Sequence, residues 1–115
     1  MDMTIKMPRG DIRKVRFSIA NPDGSQAENI FDEIYFTVKT AFSSREYLFQ
    51  KRLSTNQIEY LDGSYEFFIE SQDTDNLRIG SYVFDIEVVA GADIKQTFVG
   101  NLVLTNEVTF AENEV

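Results

Sequence analysis

Nineteen carboxylates, with neither a histidine nor a cysteine, set the chemistry open to this 115-residue chain. Histidine and cysteine supply the common general base, the common metal ligand and the thiol nucleophile. Without them no Ser-His-Asp triad, zinc site or thiol dyad can be assembled. Neither a Walker A loop nor a Gly-x-Gly-x-x-Gly turn is present to cradle a phosphate. A carboxylate pair could in principle hydrolyse a glycoside, but the acids fall mostly at turns and at alternating outward positions, the pattern of a solvated sheet face. The expectation is a protein that is not an enzyme and takes no cofactor and no metal.

Two short constellations look like sites. Arg9-Gly10-Asp11 spells an integrin-binding tripeptide, but three residues recur by chance, and the expected role is a turn leading into the first long strand. Asp73, Asp75 and Asn76 resemble a fragment of a calcium loop. An EF-hand needs a Glu at its twelfth position, and that position is Phe84. Capping and turn hydrogen bonds are the expectation there.

The elements that carry these residues read as strands, because period two dominates and a helical period is nearly absent. Ten Phe and five Tyr, with no Trp, suit pleated half-buried surfaces. Val15, Phe17 and Ile19 alternate with Lys14, Arg16 and Ser18 as far as the turn signal Asn21-Pro22-Asp23-Gly24. Ile34, Phe36 and Val38 alternate with Tyr35, Thr37 and Lys39. Tyr47 to Leu53 is more polar, an expected edge strand whose Lys51 and Arg52 discourage edge-to-edge pairing. Ile58 to Leu61 and Ser64 to Glu70 flank Asp62-Gly63, the signature of a tight hairpin. Residues 71–79 lack alternation and suit a turn or a single helical turn crossing between sheets. Tyr82, Phe84, Ile86 and Val88 then alternate strictly with Val83, Asp85, Glu87 and Val89. Gly91-Ala92-Asp93 turns into a last strand, Ile94 to Leu104, where Gly100 suggests a bulge.

That makes about seven strands at sandwich spacing. Alternation that buries one face of each sheet requires two sheets to cover one another. Leu77, Gly80 and Tyr82, at a crossing loop that ends in Gly before the penultimate strand, fit a tyrosine corner. The expected fold is all-β: an immunoglobulin-like β-sandwich of about seven antiparallel strands, with a small closed barrel as the alternative. One domain over residues 1–115 is expected, with an N-terminal arm over 1–9 and an acidic tail over 111–115.

The net charge of −8 argues against a nucleic-acid partner. The charge is uneven. Lys6, Arg9, Arg13, Lys14 and Arg16 crowd the first sixteen residues, and the segment from Glu107 onward is purely acidic, a division that favours head-to-tail or hetero-protein contacts. Lys14 and Arg16 are expected beside Glu66 and Glu70 on one sheet face. The start, MDMTIKMPRGDIRK, has no apolar signal region, and apolar runs are too short to span a membrane. Synthesis in a cytoplasm is expected.

A resemblance sharpens this. Gly10-Asp11; Asp23-Gly24; Phe36-Thr37-Val38-Lys39; Leu48-Phe49-Gln50-Lys51; Asp62-Gly63-Ser64-Tyr65; Asp73-Thr74 with Leu77, Gly80, Tyr82 and Phe84-Asp85-Ile86; Gln96-Thr97 with Gly100; and Glu107-Val108-Thr109 follow one another in an order that resembles small structural proteins of phages and prophages of gut Firmicutes. It is similar to the N-terminal immunoglobulin-like domain of baseplate upper proteins, over about residues 10 to 110. The resemblance implies a virion protein of tail or baseplate, made in the bacterial host cytoplasm and held by contacts with other virion proteins or with its own copies. The alternatives are a carbohydrate-binding β-sandwich, with Tyr35, Tyr47 and Tyr60 as stacking platforms, and a bacterial accessory or adhesin domain. Apolar residues that break the polar faces mark a candidate interface: Tyr35, Val83, Val89 and Val99 on one sheet, and Phe68 on the other.

Overall fold

The computed structural model describes residues 3–19, 31–91 and 94–106. Within them the chain forms eight strands and one helical turn: β1 (Met3–Pro8), β2 (Arg13–Phe17), β3 (Glu33–Lys39), β4 (Phe49–Arg52), β5 (Glu59–Leu61), β6 (Ser64–Ile69), α1 (Ser71–Thr74), β7 (Gly80–Ala90) and β8 (Ile94–Thr105). The strands make a five-stranded sheet in the order β1-β8-β7-β3-β4 and a three-stranded sheet in the order β2-β6-β5. The fold is an all-β, immunoglobulin-like β-sandwich.

Alternation decides what meets between the sheets. Ile34, Phe36 and Val38 of β3, Phe84, Ile86 and Val88 of β7, and Leu102 and Leu104 of β8 line the inner face of the large sheet. Tyr65, Phe67 and Ile69 of β6 face them from the small one, and all are buried. Phe36 sits at the centre, its ring 4.4 Å from Phe67, 5.1 Å from Phe84 and 6.2 Å from Phe49. Such aromatic contacts add about 0.5–1.5 kcal/mol per pair beyond the burial itself. The β5–β6 hairpin turns at Asp62 (φ 50°) and Gly63 (φ 83°), the double left-handed geometry that Asp-Gly supplies.

The eight strands among the described residues agree with the expected sandwich of about seven, but other expectations need correcting. One pair is parallel rather than antiparallel, since residues 3–8 are no arm but β1, in register with β8 from Met3 opposite Gly100 to Pro8 opposite Thr105. Met3, Ile5 and Met7 alternate with Thr4 and Lys6, so β1 buries its own apolar face. Gly100 makes no bulge. It pairs continuously with Phe84 on one side and Met3 on the other, and a Cβ there would lie 2.5 Å from both the Met3 carbonyl oxygen and the Phe84 ring. Space, not backbone conformation, requires glycine. Lys51 does not guard the edge of β4 from solvent: it points inward at 6% exposure, and its ammonium lies 2.8 Å from Asp73. The turn at 21–24 and the tail over 111–115 lie outside the described residues.

Candidate functional site

Three surfaces could serve a partner: the end of the sandwich around α1, the outer face of the large sheet, and the side between β1 and β2.

The α1 end is devoted to internal bonds. Glu70 and Asp73 form a reciprocal capping box, so Asp73 is occupied by the Glu70 backbone N–H and by Lys51. Gly10, at φ 85°, donates its N–H to the Thr74 hydroxyl at 2.8 Å, and Arg9 donates to the Leu77 carbonyl at 3.3 Å. Arg9-Gly10-Asp11 is thus a turn fastened to the α1 crossing, and no group of three or more metal-binding side chains exists among the described residues. The Tyr82 hydroxyl donates to the Arg78 carbonyl at 2.7 Å, Gly80 takes φ 147°, and Leu77 packs half-buried against the core. The Tyr82 ring is half-buried and its hydroxyl bond lies at the surface.

The outer face of the large sheet carries Tyr35, Val83, Val89 and Val99, but register separates them. Opposite Tyr35 stand Glu87 on β7 and Arg52 on β4; opposite Val83, Lys39 and Asn101; opposite Val89, Glu33 and Lys95; opposite Val99, Asp85. Tyr35 and Val89 are diagonal neighbours across β3 and β7, and Val83 and Val99 across β7 and β8. The position directly opposite is polar in every row, so these candidate interface residues do not form one continuous apolar patch. Phe68 stands on the small sheet, 45% exposed, with the Lys14 ammonium 5.9 Å above its ring. On that sheet Arg16 pairs opposite Glu66, and Lys14 approaches the same carboxylate at 3.8 Å.

What this face does hold is a polar depression of about 270 Å³ bounded by Tyr35, Tyr47, Arg45, Gln50, Asp85 and Glu87. Beside it Glu33 accepts from the Arg52 guanidinium at 2.9 Å and from both the hydroxyl and the backbone N–H of Ser54. Burial pushes the Glu33 carboxyl up, but these hydrogen bonds, with one from the Ile34 N–H, outweigh it and hold the group at about 2. Arg52 also lies 4.9 Å over the Tyr35 ring. Burial and the neighbouring Glu87 raise Asp85, with Lys39 opposing. Tyr60 lies apart, on the small sheet, 5.0 Å from Tyr65. Sequence patterning missed the Glu33–Arg52–Ser54 cluster, since it joins residues from a strand start, an edge strand and a loop.

The third surface was also missed. β1 and β2 are edge strands of different sheets, and between them opens a cleft of about 230 Å³. Met3, Val15, Phe17, Phe84 and Ile86 line its interior, and Arg13, Lys14 and Arg16 line its β2 side. Further along β8, Phe98 lies on the core-facing row opposite Ile86 yet is 40% exposed. The alternation Met3-Ile5-Met7 was the one sequence signal for this side.

No family model matches the sequence, and no curated protein matches it. Among solved structures, a proposed glycoside hydrolase from Bacteroides vulgatus ATCC 8482 superposes with a TM-score of 0.46 at 12% identity over 90% of this chain. This chain spans 17% of that protein's length. Among the described residues, no helix is long and apolar enough to cross a membrane.

Proposed function

We propose that this chain is a non-catalytic virion structural and assembly protein of a phage or prophage, associated with the tail or baseplate and acting through protein–protein contacts. The observation that carries the proposal is where the residues of the resemblance fall in the fold. Gly10 makes the turn onto α1, Asp62-Gly63 the hairpin, Asp73 the capping box, Gly80 and Tyr82 the corner, and Gly100 the close approach to Phe84. Each is a position where the backbone or the packing restricts the residue, which supports reading the ordered motifs together as those of one scaffold. The functional step from that scaffold rests on the resemblance. The test is direct: induce the prophage of the source strain, purify particles by density gradient, and look for the chain by mass spectrometry and immunogold labelling. It is expected at stoichiometric levels on tails or baseplates. Particles that lack it would overturn the proposal.

A second reading is favoured by one feature, the shared depression of Tyr35 and Tyr47 beside Asp85, Glu87 and Gln50. Phenol faces next to carboxylates and an amide are the groups that stack on and hydrogen-bond to sugar rings. Binding on a glycan array that Tyr47→Ala abolishes would favour a carbohydrate-binding module instead.

A further inference from the structure

The cleft between β1 and β2 has apolar walls and a basic β2 side, and the same sequence contains a segment of matching chemistry. Residues 107–112 read Glu-Val-Thr-Phe-Ala-Glu, with Val108 and Phe110 at alternate positions and acids at both ends. We infer that the cleft receives this acidic segment from a second copy of the chain, so that copies join head to tail.

Charge is the first argument. Arg13, Lys14 and Arg16 stand along the β2 side of the cleft with no acidic residue on the strand. Two of them are partly engaged: Arg13 donates to the Lys6 carbonyl at 2.9 Å, and Lys14 lies 3.8 Å from Glu66 with its side chain 54% exposed. Arg16 is exposed. Glu107, Glu112 and Glu114 carry the complementary charge, with no basic residue after Lys95. Shape is the second. A period-two segment offers one apolar edge, which fits a slot whose walls are Met3, Val15, Phe17, Phe84 and Ile86. β2 is an edge strand of the small sheet, so an extended peptide beside it can also meet main-chain groups, the strand-addition mode of recognition.

Reach makes the donor a second copy. β8 ends at Thr105 opposite Pro8, whereas the cleft runs from a near rim at Ile5 and Arg13 to apolar walls at Met3, Phe84 and Ile86, Met3 and Phe84 both standing opposite Gly100 and Ile86 opposite Phe98. To line those walls from its own β8 the chain would have to reverse and run back the length of β1, about 20 Å at ~3.3 Å per residue. Val108 lies three and Phe110 five residues beyond Thr105, too few to turn and reach them. A donor segment at one place and an acceptor cleft at another is a heterologous contact, which closes into rings or continues as an open chain. This inference deepens the virion reading by naming the surface and the partner. Its test uses purified protein, so its failure leaves incorporation into particles a separate matter.

The experiment is analytical ultracentrifugation of the full chain, of Phe110→Asp, and of the double variant Lys14→Glu/Arg16→Glu. Circular dichroism confirms that each is folded. The unaltered chain should gain mass with concentration, and each variant alone should stay monomeric. Mixed, the variants should form a 1:1 dimer that grows no further, because one supplies an intact cleft and the other an intact donor segment. A labelled peptide of residues 106–115 should bind Phe110→Asp and lose at least tenfold in affinity for the double variant. A chain that is monomeric at every concentration, or a mixture that yields no dimer, overturns the inference. So does a Phe110→Asp variant that loses stability independently of concentration, since that outcome means the segment serves its own copy.

Discussion

The two long sides of the sandwich are finished differently. On the β4–β5 side the chain itself closes the gap between sheets. Leu53 prolongs the β3–β4 ladder by donating its N–H to the Ile34 carbonyl, the loop that crosses from β4 to β5 is pinned by Gln57 and Ile58, which both donate to the Arg52 carbonyl, and Ile58 is buried. Two ionic groups then fix the edge strand: Lys51 to Asp73 across to α1, and Arg52 to Glu33 with Ser54. On the β1–β2 side the Arg13 guanidinium reaches across from β2 to the Lys6 carbonyl of β1, and an apolar cleft is left between the strands. The sandwich thus covers one side with its own loop and leaves the other open.

The sharpest way to break this comparison is to cut the seal. Lys51 and Asp73 are 8% and 12% exposed at their side chains, so removing one partner strands the other out of water. Lys51→Ala is expected to lower unfolding free energy by about 3 kcal/mol, read as a shift in urea midpoint at unchanged slope. Lys51→Met, which keeps the buried stem, should cost less. A loss below about 0.5 kcal/mol would mean that the pair forms no part of the seal.

The second ionic group makes a prediction in pH. Glu33 is held at about 2, below its ordinary 4.5. A depressed carboxyl stabilises the fold fully above the ordinary value and loses that contribution as pH falls from about 4.5 towards 2. Solvent reaches Arg52, whose side chain is 40% exposed, so the expected loss is held to about 2 kcal/mol. Glu33→Gln should flatten that part of the stability–pH curve. An unchanged acid limb in the variant would remove Glu33 from the account.

Tyr82→Phe is expected to cost about 1 kcal/mol. Its hydroxyl reaches the Arg78 carbonyl at the surface, so water can replace the lost donor and no buried acceptor is stranded. Thermal unfolding of the pair checks it, and an effect above about 3 kcal/mol would mean that the corner is sealed from solvent.

Local pattern in the sequence was enough for most strands, for the Asp62-Gly63 hairpin and for the non-strand segment around α1, because period two and turn chemistry are properties of neighbouring residues. What it could not supply is what stands beside each strand. β1 pairs with residues nearly a hundred positions away, in the parallel sense, and nothing near Met3 announces that partner. Lys51 was read as solvated because lysine on an edge usually is, yet Asp73 lies where the α1 crossing meets β4. The outward apolar residues Tyr35, Val83, Val89 and Val99 do share a face, but cross-strand register puts a charge or amide next to each. Period assigns a face; only register assigns neighbours. The cleft eluded sequence reading for the same reason, since its walls come from three strands.

A paired truncation tests the open side. Phe98 belongs by position to the core-facing row of β8, directly opposite Ile86. Ile86 is 4% exposed, while Phe98 is 40% exposed. Because Phe98 buries only part of its ring, Phe98→Ser removes less buried area than a core truncation and should lower unfolding free energy by about 1–2 kcal/mol. A matched Phe36→Ser on the inner face should be far worse, about 3–5 kcal/mol or enough to prevent folding. Chemical denaturation of the two variants side by side gives the contrast. Equal losses would mean that the β1–β2 side is packed as tightly as the centre. The difference between the two long sides would then be one of composition rather than of closure.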